Sequence, residues 1–108
     1  MARASSATIR LRHYTRVSTI HRILAEARIL ARDQNKVFVE LADRKPLSPR
    51  KAEKKYVIKR GKGNAYVEFD ALPAEVHRQV NSWTGEIELF LYGDVDLSAR
   101  NPQGFDNW

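Results

Sequence analysis

Apolar residues recur at helical spacing through the first third of the chain. Ile20, Ile23, Leu24, Ala27, Leu30 and Ala31 fall on one stripe, with Ser18 or Thr19 placed to cap its N-terminus. Arg22, Glu26 and Arg32 project away from that stripe. Ile29 does so too, which gives this helix a contact beyond its own core. Asp33-Gln34-Asn35 ends it. Upstream, residues 8–14 alternate apolar and polar, fitting a short strand or the first turns of a long helix. Downstream, Val37-Phe38-Val39-Glu40-Leu41 predicts a strand. Residues 42–55 hold two prolines and a dense basic cluster, which predicts an exposed loop. Residues 56–59 and 65–69 flank Arg60-Gly61-Lys62-Gly63-Asn64, predicting a hairpin with a basic tip. Pro73 opens a short predicted helix running to Trp83, and Thr84-Gly85 breaks it. Residues 86–92 form the most hydrophobic strand, and residues 101–104 are loop chemistry.

These elements predict an α+β fold: one main helix packed on an antiparallel sheet of about four strands, with a second short helix. The expected organisation is a flexible N-terminus over 1–7, a single domain over 8–97 and a polar C-terminal tail over 98–108. A chain of 108 residues with 43% hydrophobic content closes one core. Cysteine is absent, so neither a disulfide framework nor a thiolate zinc site is available. No run reaches the ~18 apolar residues that span a bilayer. The expectation is a soluble, cytoplasmic protein.

Charge changes the picture most. Residues 1–62 carry 17 Lys/Arg against 5 Asp/Glu, whereas residues 63–108 carry 2 against 8. So strong an asymmetry points to an oriented electrostatic surface and a polyanionic partner. Lys51, Lys54, Lys55, Lys59, Arg60 and Lys62 lie in one short stretch beside Tyr56 and Tyr66. Such Lys/Arg groups bind phosphate backbones, and aromatic faces stack on unpaired bases. Arg22 and Arg28 belong to a second group, all arginine, suited to bidentate recognition of phosphate or carboxylate. The function expected is therefore sequence-nonspecific nucleic-acid binding, without catalysis and with no cofactor or metal. An acidic protein surface and a homo-oligomer are the other partners the charge pattern allows. The alternative is a protein-assembly module or small regulator using Ile29, the acidic strand and Trp108.

Other chemistry is thin. Glu86 and Glu88 share a strand face, and Asp94-Val95-Asp96 has the form of a short acidic metal motif, but both patterns equally describe a solvated strand and turn. His13, His21 and His77 lack metal-ligand spacing and read as surface or helix-flank residues. Gly61-Lys62-Gly63 lacks the downstream Lys-Ser/Thr of a phosphate-binding loop.

Residues 23–32, Ile-Leu-Ala-Glu-Ala-Arg-Ile-Leu-Ala-Arg, followed by Lys36-Val37-Phe38-Val39, resemble the helix-to-strand join of minor pseudopilins of type II secretion, type IV pili and competence machines. Leu72-Pro73-Ala74-Glu75-Val76 and residues 86–94 resemble their later sheet, so the likeness spans about residues 20–97. It implies an anchor-free soluble domain at the periplasm or envelope, with DNA contact through basic loops as in some minor pilins.

Overall fold

The computed structural model describes residues 7–32 and 34–107. Residues 1–6 of the expected flexible N-terminus, and Trp108, lie outside the described residues. The elements in chain order are β1 (Ile9–Thr15), α1 (Val17–Glu26), β2 (Arg28–Ile29), β3 (Lys36–Leu41), α2 (Pro49–Tyr56) and β4 (Ala65–Ala71). A 3₁₀ turn (Pro73–Glu75) follows, then β5 (His77–Val80), β6 (Ile87–Tyr92), β7 (Val95–Asp96) and β8 (Gln103–Asp106). Six strands form one antiparallel sheet in the order β5-β6-β3-β1-β4-β8, and β2 pairs with β7 in a small second sheet.

The expected architecture of one main helix on about four strands is thus corrected to a mostly sheet fold with two helices. Three segments carry the difference. Residues 76–83 were expected to be helical, but His77–Val80 pairs with β6 as an edge strand. The loop-like C-terminal segment pairs with β4, Gly104 opposite Val67. Residues 49–56, expected as loop and strand, form α2, with Pro49 in the first turn and Ala52 and Glu53 on the buried face. The expected 56–69 hairpin does not form. Its second strand is β4, but Tyr56 ends α2 and Val57 sits in the left-handed region at φ 52°.

Alternation decides which side chains face the core. In β4, Ala65, Val67, Phe69 and Ala71 are buried on one face, while Tyr66, Glu68 and Asp70 point to the other. The apolar face joins Leu11, Val37, Val39 and Leu91 beneath Ile23 of α1. α1 ends at Glu26, where Ala27 takes a left-handed cap and donates its N–H to the Ile23 carbonyl. The chain then turns into β2, so Ile29 is not on a helix at all; it is 2% exposed and belongs to the core. α1 also lies against β8: a Cβ on Gly104 would meet Leu24 and Ile20 side chains at 3.1 and 3.2 Å.

The opposite sheet face is polar and aromatic, and it is organised by one buried cation. Arg12, 2% exposed, donates from Nη1 to Glu40 at 2.7 Å and from Nε and Nη2 to Glu68 at 3.2 and 3.1 Å. Its Nη2 also reaches the carbonyls of Ala42 and Arg44. Glu40 in turn accepts the Tyr14 hydroxyl at 2.7 Å. Among the described residues no helix is long and apolar enough to cross a membrane.

Candidate functional site

β1 is paired with β4 along its whole length, from Ile9 opposite Ala71 to Thr15 opposite Ala65. Its pairing with β3 covers only Leu11 opposite Leu41 and Arg12 opposite Glu40. Beyond Arg12 the two strands part, and the His13 ring spans the gap, with Nδ1 2.8 Å from the Phe38 carbonyl oxygen. A pocket of about 220 Å³ opens in this wedge. One wall comes from residues 13–15, the opposite wall from Lys36 and Phe38, a third from α1 and the segment after it, and the rest from Tyr56, Ile58 and Lys62.

The Phe38 carbonyl can only accept, so Nδ1 carries the ring proton and Nε2 is the remaining acceptor of a neutral imidazole. Burial pushes the His13 pKa below its ordinary 6.5; the bond to Phe38 opposes this and the nearby Lys62 charge adds to it. The unfolded chain therefore takes up the proton first, and stability is full above 6.5 and declines as pH falls through that value toward the depressed native one. Urea unfolding of the wild type should show this loss between neutral and mildly acid pH, and His13→Gln should flatten it. An unchanged slope in the variant would assign the acid sensitivity elsewhere.

The pocket wall is strongly basic. Among the described residues, Arg22, Arg28, Arg32, Lys36 and Lys62 line it against one carboxylate, Glu26, whose contact with Arg28 is a loose 3.9 Å. Lys62 is put there by Glu53, which accepts the backbone N–H groups of Gly61 at 2.8 Å and Gly63 at 3.1 Å and so ties the 59–63 turn to α2. Only glycine fits at 63, where a Cβ would stand 2.3 Å from the Pro49 carbonyl oxygen.

Two pocket residues lead to a second carboxylate. Lys36 donates to the Gln79 side-chain oxygen at 2.7 Å, and the Gln79 amide donates to Glu88 at 3.1 Å. Tyr56, its ring 5.9 Å from that of Tyr14, has its phenol pKa pushed far up, first by burial and then by the Glu40, Tyr14 and Glu88 charges. Glu88 is 6% exposed and is held by the Gln79 and Asn81 amides. Among the described residues it has no cationic partner, whereas Glu40 and Glu68 share Arg12, Glu53 has Arg50 and Glu75 has Arg100. Glu88 does not line the pocket; it adjoins the wall through Gln79 and Lys36.

Of the residues expected to bind nucleic acid, Arg22, Arg28, Tyr56 and Lys62 converge in this pocket. Lys51 and Lys54 are exposed on α2, Lys59 and Arg60 are exposed on the following turn, and Lys55 lies 5.4 Å over the Tyr56 ring. Ile29, expected to contact a protein, is in the core. His13, Lys36 and Glu88 were not expected. The signal for Glu88 was its place in the most hydrophobic strand, on the face opposite Leu89 and Leu91; nothing local marks His13, because its meaning depends on where β1 and β3 part.

A family model described as "HYD1 signature containing ADP-ribosyltransferase" matches residues 11–101. No curated protein matches the chain, and no solved structure matches it. The match overturns the pseudopilin resemblance, whose continuous helix-to-strand join is in fact broken at Ala27 and Arg28. It also overturns the non-enzymatic reading, both as nucleic-acid binder and as assembly module, because the matching family is enzymatic.

Proposed function

We propose that this chain, which belongs to the family of ADP-ribosyltransferases with the HYD1 signature, transfers ADP-ribose from NAD held in the wedge between β1 and β3. The observation that carries this reading is the pocket itself, where a neutral, orientation-locked His13 and an aromatic residue, Tyr56, face a wall of five cations. A pocket of about 220 Å³ is below the ~300–1,000 Å³ that encloses a drug-sized ligand. It takes one end of the dinucleotide, the nicotinamide and its ribose, and leaves the diphosphate to the arginine and lysine side chains around it. Nε2 of His13 accepts from a ribose hydroxyl, a role that a charged imidazolium would lose.

In the transfer the bond between ribose C1′ and the nicotinamide nitrogen breaks, and nicotinamide leaves with the electron pair as a neutral molecule. A nucleophile of the acceptor bonds to C1′ and gives up its proton. Positive charge builds on the ribose as the bond stretches, and the Glu88 carboxylate, which stands behind the pocket wall at the end of the Lys36–Gln79 link, answers it through space and not by contact. The wedge also excludes water from one side of the ribose, which favours a protein nucleophile over hydrolysis.

The test is chromatographic release of nicotinamide from NAD, with and without a protein acceptor. Wild type should release it, and His13→Ala should lose roughly 10²-fold in rate. Failure of the folded wild type to consume NAD under any acceptor condition would remove the reading.

A further inference from the structure

The pocket holds more positive charge than the dinucleotide uses. NAD brings a diphosphate already partly offset by its nicotinamide cation, and five wall cations face it. Outside the wall, the adjoining segment of the chain carries four more exposed cations. Lys51 and Lys54 stand on the outer face of α2, opposite the buried Ala52 and Glu53, and Lys59 and Arg60 stand on the turn that carries Lys62 into the pocket. None of these four side chains has an ion pair or hydrogen bond among the described residues. These four cations form a basic rim tied to the pocket through the chain: α2 ends at pocket-lining Tyr56, and Lys59 and Arg60 lie between pocket-lining Ile58 and Lys62.

Between the two pairs along the chain is Val57. It follows pocket-lining Tyr56, precedes pocket-lining Ile58, and is 69% exposed at φ 52°. A β-branched residue in the left-handed region is strained, and strain of this kind concentrates at ligand clamps and switch regions. An exposed apolar residue flanked in the chain by exposed cations suits a protein interface, which sets apolar contacts within a polar border. It does not match a strand-binding groove, which sets exposed aromatic rings among its cations. Here Tyr56 is turned into the pocket against Tyr14, and Tyr66 is stacked on Phe105 at 5.1 Å.

We propose that Lys51, Lys54, Lys59 and Arg60 dock an acidic face of the protein that receives ADP-ribose, with Val57 as its apolar contact. The proposal rests on the transferase reading of the pocket, and it adds the chemistry of the acceptor. Docking presents the acceptor's nucleophile over the ribose, so the rim acts on transfer and not on the breaking of the nicotinamide bond.

The test uses two synthetic peptide libraries of equal length, one strongly acidic and one strongly basic, each containing the same nucleophilic side chains. Transfer of labelled ADP-ribose from NAD to each, NAD hydrolysis without peptide, and binding of the acidic library by fluorescence anisotropy are measured in parallel. Wild type should modify the acidic library at least about tenfold faster than the basic one, with the advantage shrinking at high salt. Lys54→Glu/Lys59→Glu should abolish the advantage, Arg44→Glu/Arg78→Glu should keep it, and both should hydrolyse NAD like wild type.

Val57→Gly separates docking from folding. Glycine tolerates the left-handed cap, so the variant should have a higher thermal midpoint and yet weaker transfer to the acidic library. Equal modification of the two libraries, equal loss in both double variants, or unaltered transfer by Val57→Gly would overturn the proposal. Preferential binding of a single-stranded oligonucleotide at the rim would also overturn it. If wild type consumes no NAD, the transferase reading fails, and equal anisotropy of both double variants then overturns the docking surface independently.

Discussion

Arg12→Met should cost about 3–5 kcal/mol of folding stability, more than any other single substitution in the sheet. The magnitude follows from what is left behind. Arg12 is the common partner of Glu40 and Glu68 and satisfies the carbonyls of Ala42 and Arg44 from inside the fold. Removing it strands two carboxylates, one of them in a buried pair, with no other cation paired to either among the described residues. Methionine supplies comparable bulk, so the loss is electrostatic and not a cavity. With a urea slope of ~1–3 kcal/mol/M, the midpoint should fall by about 2 M. Replacing Glu40 and Glu68 by leucine in the same chain should recover part of the loss, because the deficit lies in the unpaired charges. A single-variant loss below about 1 kcal/mol would mean that Arg12 is not the organiser of this face.

Glu88→Gln should lower the turnover of NAD by about tenfold, equivalent to ~1.4 kcal/mol of transition-state stabilisation from a charge acting across the Lys36–Gln79 link. Glutamine keeps the shape but offers a carbonyl acceptor to only one of the Gln79 and Asn81 amides, and it removes the negative charge that those amides hold in place. The interaction matters only as positive charge develops on the ribose, so kcat should fall while KM for NAD stays near wild type. The thermal midpoint should fall modestly, since one buried amide donor loses its acceptor though no ion pair is broken. Glu26 provides the contrast. It lines the pocket, but its side chain is 44% exposed and loosely paired with Arg28, so Glu26→Gln should cost less than about tenfold. A near-normal rate for Glu88→Gln with a severe loss for Glu26→Gln would exchange the two roles.

The site was only partly legible along the chain. The arginines and lysines are visible as a cluster along the chain, and three of those expected to bind nucleic acid, Arg22, Arg28 and Lys62, meet in the pocket together with Tyr56. Their purpose was misread because a run of cations looks the same whether it surrounds a nucleic acid or a dinucleotide end. His13 offered no spacing to recognise. Its chemistry comes from a single bond to Phe38, twenty-five residues away, across two strands that have ceased to pair. Glu88 was placed on a strand face but assigned to solvent, because period-two alternation separates two faces without saying which of them is covered.

The sequence by itself determined the local pieces: the apolar stripe of α1 through Ile20 and Ile23, the alternation of β4, and the concentration of positive charge in the first 62 residues. Only the tertiary structure decided that residues 77–80 and 103–106 are strands, because edge strands with few buried side chains are defined by the neighbour that accepts their backbone hydrogen bonds. It likewise decided the pocket, whose walls come from β1, α1, β3 and the end of α2 and exist because β1 stays bonded to β4 while leaving β3. Hydrophobic periodicity is a property of neighbours along the chain, whereas strand register and the point of parting are set by residues far apart in it, and the chemistry of this protein sits at that point.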